Sequence, residues 1–447
     1  MNQTSSTMTT KTAIYNHAVN LFPICRSLSG SGVVETLSYI KKFLPNLNVE
    51  TVKSGTQVFD WNVPQEWNIN DAYVANSKGE RVIDFNEHNL HILGYSEPFE
   101  GEMTFEELDA HLYSLPEQPD AIPYITSYYK RRWGFCLTEN LRNEMRKSPK
   151  EKYHVKVDTT LEDGDLNYGE LIIKGQTDEE ILISTYICHP SMANNELSGP
   201  CVTLELASWL ESLQGEHHYT YRILFLVETI GSIIYLSKHL EYLKKHLKAG
   251  YVLSCVGDNL DYSVVNTPDE NTASEIALEH VLKHHTGKYS KYPFTQRGSD
   301  ERQYCSAGVD LPVAGFCRSK YAEFPEYHTS LDDLDFISEE GLFGAYEVMQ
   351  KVITLFENNA VYKTKVLGEP QLGKRGLYPS ISTKETAAQT RDMMNLIAYS
   401  NGSRSLLEIA EKTNTSISKF YPIVPKLLEA DVMEKHETAS VCFPKIN

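Results

Sequence analysis

The sequence lacks the cysteine pairs that mark a zinc ribbon or a thiol redox centre. Its eight cysteines are scattered along 447 residues, and no two stand at C-x-x-C spacing. It also lacks a signal-peptide core, because the first apolar stretch, at residues 18–25, is broken by Asn20 and Pro23. No stretch approaches the ~20 apolar residues that a membrane span needs. These absences predict a cytoplasmic protein that makes no use of a membrane.

Basic charge is also in short supply. Lys and Arg number 42 against 60 Asp and Glu, which gives a formal net charge of −18. Because so acidic a surface repels phosphate backbones, nucleic acid is a poor candidate partner. Glycine and proline, at 25 and 19 residues, are too few for a collagen-like or low-complexity chain. The composition is that of a globular protein, and at ~150 residues per domain its length predicts about three domains.

The first third of the chain contains two regions with different sequence patterns. Residues 13–55 contain a helical pattern in which Val34, Leu37 and Ile40 recur at three-residue spacing. Residues 56–137 contain short β-like runs punctuated by glycine, and three of the four tryptophans. Short strands with turn residues between them indicate a small β-rich domain.

From residue 153 to about residue 357 the pattern alternates between strand and helix. Several predicted strands are near-continuous apolar runs, such as ILISTY at residues 181–186, which is typical of strands buried on both faces. Four helices are expected between and after them: 199–213, 231–246, 272–285 and 339–356. The alternation predicts an α/β domain with a largely parallel sheet.

The last segment, residues 384–447, has the pattern of a winged helix. Three short helices are separated by predicted turns at residues 401–403 and 413–415, and wing strands are expected at residues 432–433 and 441–443. This architecture is common in DNA-binding proteins, so the charge of the segment decides how it is interpreted.

The charge of this segment does not favour DNA binding. From Arg391 to the end of the chain, seven cations are matched by seven anions. The best recognition helix, at residues 418–428, is interrupted by Pro422 and Pro425, which predict a short or kinked helix. We therefore expect a packing or protein-contact module rather than a reader of DNA sequence.

Polar side chains that can bind a metal follow several predicted strands. His189 lies in YICHPS at residues 186–191, Glu228 in ETIGS, Asp258 in GDN and His328 in YHTSLDD. Open α/β sheets build their ligand crevice at the carboxyl ends of strands, so these side chains are expected to lie close together. Two histidines and a carboxylate are ligands that hold Zn²⁺ with a position open for water, and a further carboxylate can take that water's proton.

These motifs resemble the zinc aminopeptidase superfamily, also called the zinc exopeptidases. The closer resemblance is to a bacterial family of unknown function that is often associated with polysaccharide biosynthesis. It is carried by FDW at residues 59–61, CHPS at 188–191, ETIGS at 228–232 and YHTS at 327–330. The resemblance spans residues 13–358.

The resemblance implies a three-part architecture. Its core is a zinc-exopeptidase-like α/β domain with a doubly wound mixed sheet, formed by residues 13–55 and 138–366. A small β-rich domain, residues 56–137, is inserted in this core. A winged-helix domain, residues 384–447, follows it.

The resemblance also implies the roles of individual residues. His189 and His328 match metal ligands, and Glu228 matches the general base that takes a proton from the metal-bound water. Asp300, in GSDER, matches a late acidic residue that orients the site. Apart from the resemblance, Arg302, two residues later, is expected either to meet a carboxylate or phosphate of the substrate or to form a surface or structural salt bridge.

Two departures from the superfamily pattern argue against a two-zinc site. Asn195 stands where a metal-bridging Asp is expected, and Glu196 replaces it only if the turn aims that side chain differently. Thr229 stands where a second Glu is expected. The position of the superfamily's strand-end Asp aligns with Ser254 or Cys255 in this sequence. Asp258 therefore lies a few residues after the position where that ligand is expected. A single zinc is expected, held by His189, His328 and either Asp258 or Glu228, and a metal-free relic is the alternative.

The expected function is metal-dependent hydrolysis of an amide bond beside a free amine. The substrate is a small peptide or an acylated amino compound such as an amino sugar. The rival hypothesis is an inactive aminopeptidase-like scaffold that binds a small ligand or a protein. The sequence leaves open whether the chain associates with a second copy of itself.

Overall fold

The computed structural model describes residues 2–128, 130–377 and 384–436, together with Phe443. The α-helices within these ranges are α1 (Asn2–Leu21), α2 (Ser31–Phe43), α3 (Phe105–Leu108), α4 (Glu139–Arg146), α5 (Ser198–Ser212), α6 (Ile230–His246), α7 (Ala273–His285), α8 (Glu301–Tyr304), α9 (Glu339–Asn358), α10 (Lys384–Tyr399), α11 (Leu406–Lys412) and α12 (Val424–Glu429). None of these described helices combines the length and the apolar composition needed to cross a bilayer.

The strands within the same ranges are β1 (Asn48–Lys53), β2 (Gln57–Val58), β3 (Trp61–Asn62), β4 (Glu66–Ala75), β5 (Arg81–Asp84), β6 (Phe99–Thr104), β7 (Leu112–Tyr113), β8 (Phe135–Cys136), β9 (Lys152–Glu162), β10 (Asp165–Ile173), β11 (Glu180–Tyr186), β12 (Thr220–Leu226), β13 (Leu247–Leu253), β14 (Ser263–Val265), β15 (Ser290–Tyr292), β16 (Val313–Cys317), β17 (Val361–Thr364), β18 (Asn401–Ser405) and β19 (Met433–Lys435).

The chain divides into two compact units, one formed by residues 1–265 and 290–346 and the other by residues 266–289 and 347–447. The first unit contains an eight-stranded mixed sheet in the order β1-β10-β12-β11-β13-β16-β14-β15. Its four central strands, β12, β11, β13 and β16, are parallel to their neighbours in this group. Every residue of β11, β12 and β16 is buried, as their apolar runs predict. The predicted α/β class with a large mixed sheet is confirmed.

The parallel arrangement places the carboxyl ends of β11, β12, β13 and β16 at one edge of the sheet. Tyr186, the last residue of β11, is level with Leu226, the last residue of β12. The loops that follow these strands therefore start side by side, and they carry the residues predicted for the site.

A separate four-stranded sheet in the order β5-β4-β9-β6 forms the small β region. The predicted range, 56–137, omits β9, which pairs antiparallel with both β4 and β6. Tyr153, Val155 and Val157 on alternate positions of β9 are buried in the core of this sheet. By its pairing and its alternating burial β9 belongs to the small sheet, although it follows residue 137, the end of the predicted β-rich range.

The second unit contains a three-stranded sheet in the order β18-β17-β19. The turn predicted at residues 401–403 is wrong, because these residues begin β18, which pairs with β17. Local sequence does not reveal this strand, since its partner lies some forty residues earlier, before the predicted start of the winged-helix domain at residue 384. The second wing strand expected at residues 441–443 involves Val441 and Cys442, which lie outside the described residues.

The predicted helix at residues 418–428 is replaced by two shorter elements. A 3₁₀ turn, Ile417–Lys419, is followed by α12, which has Pro425 in its first turn. Proline fits the first turn of a helix because the N–H that it lacks would have no partner there. The two prolines thus divide the segment, in line with the short or kinked helix expected.

Candidate metal centre

Strained backbone marks the edge of the sheet where the site lies. Thr229, Cys255 and His328 all have positive φ values, of 65°, 52° and 58°. Residues other than glycine adopt this conformation at an energetic cost, and such residues cluster at functional sites. The turns that follow β12 and β13 and the loop that carries His328 are therefore held in specific shapes.

His189, shortly after β11, is the central residue of the site. Its Nδ1 atom lies 2.8 Å from Oε2 of Glu196, and its Nε2 atom lies 3.7 Å from Oε2 of Glu228. Burial alone would lower the pKa of His189, but the Glu196 carboxylate outweighs it and raises that pKa. The carboxylate on Nδ1 fixes the ring so that Nε2 faces Glu228.

Glu196 comes from a π-helical turn, Ala193–Leu197, that runs into α5. Its Oε1 atom lies 3.9 Å from Nε of the buried Arg26, which also donates a hydrogen bond to the backbone oxygen of His189 at 3.0 Å. Arg26 thus supports both His189 and its carboxylate partner. The sequence pattern suggests Glu196 only as a substitute metal ligand, and no local pattern points to Arg26, which lies 163 residues before His189.

Cys188 contributes to the same side of the His189 ring. Its sulfur accepts the backbone N–H of Glu228 at 3.2 Å and lies 3.2 Å from Nδ1 of His189. Ligand atoms of Cys188, His189 and Glu196 all lie within 4.8 Å of one another, so this trio is a potential metal-binding group. Burial raises the pKa of the Cys188 thiol, which keeps its proton and serves the backbone as a hydrogen-bonding group.

His328 approaches His189 from the loop that follows β16. The two ring centroids are 5.7 Å apart, and Tyr327 stacks on His328 at 3.9 Å. Burial, followed by the proximity of His189, lowers the pKa of His328 to about 3. The imidazole is therefore neutral at physiological pH, the form that binds metals.

The acidic part of the site consists of Glu228 and Asp300. Burial raises the pKa of Glu228, although His189 and Arg302 oppose this shift. Oδ1 of Asp300 accepts hydrogen bonds from the backbone N–H of Thr229 at 2.7 Å and from the Ser232 hydroxyl at 3.0 Å. Burial and the nearby Glu228 raise the pKa of Asp300 to about 7. Asp300 thus holds the turn that carries Glu228.

Arg302 lies beside this turn rather than on a distant surface. Its guanidinium donates a hydrogen bond to Oγ1 of Thr229. Its charge also acts on Glu228 and Asp300, where it opposes the rise in the pKa of each that burial causes. The structure therefore brings Glu228, Asp300 and Arg302 together next to His189.

Asn195 presents an oxygen rather than its amide nitrogen as a free group. Its Nδ2 donates to the Tyr186 hydroxyl at 3.1 Å and to the Cys255 sulfur at 3.6 Å. Its Oδ1 is buried and has no hydrogen-bond partner in the structure. Buried polar atoms are usually satisfied, so this oxygen is suited to a ligand.

The Asp258 carboxylate is engaged by hydrogen-bond donors from neighbouring loops. Its carboxylate accepts hydrogen bonds from the Asn194 side chain at 3.0 Å, from the backbone and hydroxyl of Ser319 at 2.9 and 2.8 Å, and from the backbone of Leu260 at 2.8 Å. These donors occupy both oxygens. Of the two carboxylates left open by the sequence, Glu228 lies beside His189, whereas Asp258 joins neighbouring loops.

A second cluster of histidines and a carboxylate lies in the other unit. Nδ1 of His280 lies 2.5 Å from Oε1 of Glu411, and Nε2 of His280 accepts the backbone N–H of Ile417 at 3.0 Å. His284, one turn further along α7, has its ring centroid 4.6 Å from that of His280, with the two ring planes tilted by 50°. Because a neutral imidazole has one donor and one acceptor nitrogen, both nitrogens of His280 are already used.

Comparison with known proteins places these features in a family. The model of the domain of unknown function DUF4910 matches residues 15–359, and a winged helix-turn-helix model matches residues 360–435. The chain belongs to the DUF4910 family. This confirms the predicted resemblance to a bacterial family of unknown function with an aminopeptidase-like core and a C-terminal winged helix.

Individual relatives agree with this assignment. A Clostridium acetobutylicum protein, provisionally named a polysaccharide biosynthesis protein with an aminopeptidase-like domain, is 44% identical over 423 residues, which cover 94% of this chain and 96% of the relative. A crystal structure from Clostridium acetobutylicum, provisionally named a peptidase, has a TM-score of 0.89 at 42% identity and covers 96% of this chain and 98% of that chain. A zinc aminopeptidase from Bacillus subtilis has a TM-score of 0.53 at 15% identity, with 77% of this chain and 94% of that chain covered. The last similarity shows a shared fold.

Proposed function

We infer that this chain is a zinc-dependent hydrolase that cleaves an amide bond beside a free amine. The observation that carries this proposal is the orientation of His189. Glu196 occupies its Nδ1 side, and its Nε2 faces Glu228 in the same cluster as His328. A carboxylate on one nitrogen of a histidine is the usual support for a metal ligand that binds through the other. The shared fold with a zinc aminopeptidase supports the same chemistry.

The residues present fit a single zinc ion. His189 and His328 supply the nitrogen ligands that zinc favours, and Glu228 lies beside His189, where it is proposed to serve as the base. The unpartnered Oδ1 of Asn195 offers a neutral oxygen. Asn195 and Thr229 provide no negative charge where a second cation would need it, so one zinc per chain is proposed.

In the proposed mechanism the protein supplies a base, an orienting network and an anion-binding group. Zinc, when bound, polarises the scissile carbonyl and lowers the pKa of water. Glu228 takes a proton from the attacking water and returns it to the leaving nitrogen. Its side chain is 21% exposed, so solvent reaches it, and its raised pKa suits the return of the proton. Asp300 holds the Glu228 turn, and Arg302 binds a carboxylate or phosphate of the substrate.

The proposed substrate is a small peptide or an acylated amino compound. The Clostridium relative that is named for polysaccharide biosynthesis favours an acylated amino sugar. The net charge of −18 is compatible with a substrate that carries a protonated amine. A cytoplasmic location and a winged helix that does not read DNA stay predictions from the sequence.

The test is hydrolysis by the zinc-loaded full-length chain. We expect release of product from aminoacyl p-nitroanilides with a free amine or from N-acylated amino sugars, loss of activity with a chelator and recovery with zinc. The matched control is Glu228→Gln, which retains size and fold but lacks the base. Turnover that is equal in the variant and unaffected by chelation would contradict the proposal.

A second candidate function is an inactive scaffold that binds a ligand. The specific observation in its favour is the contact between the Arg302 guanidinium and Thr229, which puts a cation where the superfamily pattern has an acidic ligand. This candidate predicts that the protein takes up no zinc after reconstitution.

A further inference from the structure

A segment of the small β region reaches the metal centre. Residues 121–128 lie against the loop that carries His328, and three hydrogen bonds join the two. The backbone N–H of Tyr124 donates to the carbonyl of His328 at 2.8 Å, and the N–H of Ser330 donates to the carbonyl of Ile122 at 2.8 Å. The N–H of Ile122 donates to the Ser330 hydroxyl at 2.9 Å.

These hydrogen bonds flank a strained residue. His328 has a φ of 58°, in the left-handed region that residues other than glycine adopt at an energetic cost. A β-bridge between Pro123 and Thr329 adds to the same contact. The backbone conformation that presents the His328 ring is thus fixed from residues 121–128, which lie some 200 positions earlier in the chain.

The side chain of Tyr124 makes a second connection. Its ring lies 4.9 Å from the ring of His189 and 5.1 Å from the ring of His328, with an edge-on contact of 87° to the latter. Its hydroxyl lies 2.9 Å from the Tyr128 hydroxyl, which orients the ring. One aromatic side chain therefore contacts both predicted nitrogen ligands and limits how closely they approach each other.

We propose that residues 121–128 are a positioning element of the metal centre. Their backbone holds the loop of His328, and the Tyr124 ring sets the spacing between His189 and His328. This inference rests on the proposed function, because the spacing matters only if both rings bind one metal ion. It assigns to the small β region a part in forming the site, in addition to the loops at the sheet edge.

The test is the zinc affinity of the full-length chain, measured by competition with a chromophoric chelator. Tyr124→Leu removes the ring and is expected to weaken zinc binding by about 10–100-fold, as supporting residues around metal ligands do. Tyr124→Phe keeps the ring and is expected to restore most of the affinity. Tyr73→Leu, in β4 of the same small sheet, is the matched control and is expected to bind zinc as the unmodified protein does.

A second readout separates positioning from general stability. Cobalt(II) in place of zinc has a visible spectrum that reports the ligand geometry, and we expect Tyr124→Leu to change it while Tyr73→Leu does not. Should Tyr124→Leu fail to fold, Ser330→Ala decides the matter, since it removes the hydroxyl that accepts the Ile122 N–H. We expect this variant to bind zinc more weakly as well.

The outcomes distinguish this inference from the proposed function. Zinc binding with equal affinity and spectrum in the unmodified protein, Tyr124→Leu and Ser330→Ala would overturn the positioning role and leave the hydrolase proposal intact. No zinc binding by the unmodified protein would overturn both. Loss of affinity in Tyr124→Leu that Tyr124→Phe restores would support the positioning role.

Discussion

His189 and His280 are both buried histidines beside a carboxylate, but their second ring nitrogens differ. Nδ1 of His189 contacts Glu196, and its Nε2 faces Glu228 at 3.7 Å. Nδ1 of His280 contacts Glu411, and its Nε2 accepts a backbone N–H at 3.0 Å. A metal at His280 would have to displace one of these hydrogen bonds, because a neutral imidazole has a single acceptor nitrogen. A similar set of residue types thus gives a candidate metal site in one unit and a structural contact in the other.

The carboxylates in the two clusters, Glu228 and Glu411, have pKa values shifted in opposite directions. Burial raises the pKa of Glu228, whereas the pKa of Glu411 is lowered, since His280 and Lys283 outweigh the effect of its burial. Glu411 is satisfied by cationic or donor groups, and Glu228 retains proton affinity. A catalytic base needs this affinity for a proton, whereas a carboxylate in a structural ion pair must stay charged.

The largest effect is expected from His328→Ala. The variant should lose zinc and with it the activity, while its fold persists, because the side chain lies in a loop at the sheet edge and is partly exposed. Zinc content and unfolding in the presence and absence of chelator measure this. If the variant is destabilised equally under both conditions while the unmodified protein binds no metal, His328 is a structural residue.

Glu228→Gln tests the base separately from the metal. Activity should fall by about 10²–10⁴-fold while zinc is retained, because the amide cannot accept the proton. In the metal-free protein burial raises the pKa of Glu228 above the ordinary value for Glu, and a zinc ion beside it would oppose this shift; we expect activity to be lost as pH falls through the Glu228 pKa, since only the carboxylate can accept the proton. Rate against pH and zinc content are the measurements. Parallel loss of zinc and activity would instead make Glu228 a metal ligand.

Glu196→Gln tests the residue that orients His189. Zinc affinity should fall by about 10–100-fold, the usual effect of removing a supporting carboxylate. Glu205→Gln is the matched control, since Glu205 also pairs with a histidine, His17 at 3.0 Å, and is expected to leave zinc affinity unchanged. Glu196→Gln also removes the charged partner of the buried Arg26 and is expected to destabilise the fold. The zinc affinities of the variant and the unmodified protein are therefore compared under conditions in which the same fraction of each is folded. Unchanged affinity would remove Glu196 from the metal centre.

Glu411→Gln is expected to have the smallest effect on the metal and a modest effect on stability. Zinc content should be unchanged, and the free energy of unfolding should fall by about 1–3 kcal/mol, because a buried hydrogen bond to a charged group is lost. A lowered pKa in the folded state means that Glu411 stabilises the protein above pH 4.5, its ordinary pKa, and that this contribution is lost as pH falls below it. Denaturant unfolding at several pH values measures this. A variant that loses zinc would reverse the assignment of the two clusters.

Part of the site could be predicted because its residues directly follow strands. His189 and Glu228 come after the apolar runs of β11 and β12, and parallel strands bring such positions together. The supporting residues could not be found in this way. Arg26 and Tyr124 contact the site through the tertiary fold from more than 60 residues before His189, and no local pattern marks them.

The same limit explains the errors in the fold. The regular alternation of the parallel strands is visible in a short window of sequence, so the α/β core could be predicted. β9 and β18 pair with strands that are distant in sequence, so the predicted β-rich range ends before β9 and the start of β18 is predicted as a turn. Asp258 shows the corresponding limit for side chains, since its hydrogen bonds to Ser319 depend on a contact between distant loops.

The most direct test of the comparison is the zinc content of the full-length protein after reconstitution, measured beside His328→Ala and His280→Ala. The proposed single-zinc site predicts one zinc in the unmodified protein, none in His328→Ala and one in His280→Ala. Loss of zinc only in His280→Ala would place the metal beside His280, in the second unit, and would contradict the assignment of the metal to His189 and His328. Two tightly held zinc ions per chain, or none in the unmodified protein, would contradict the account of Asn195, His189 and His328 as a single-metal site.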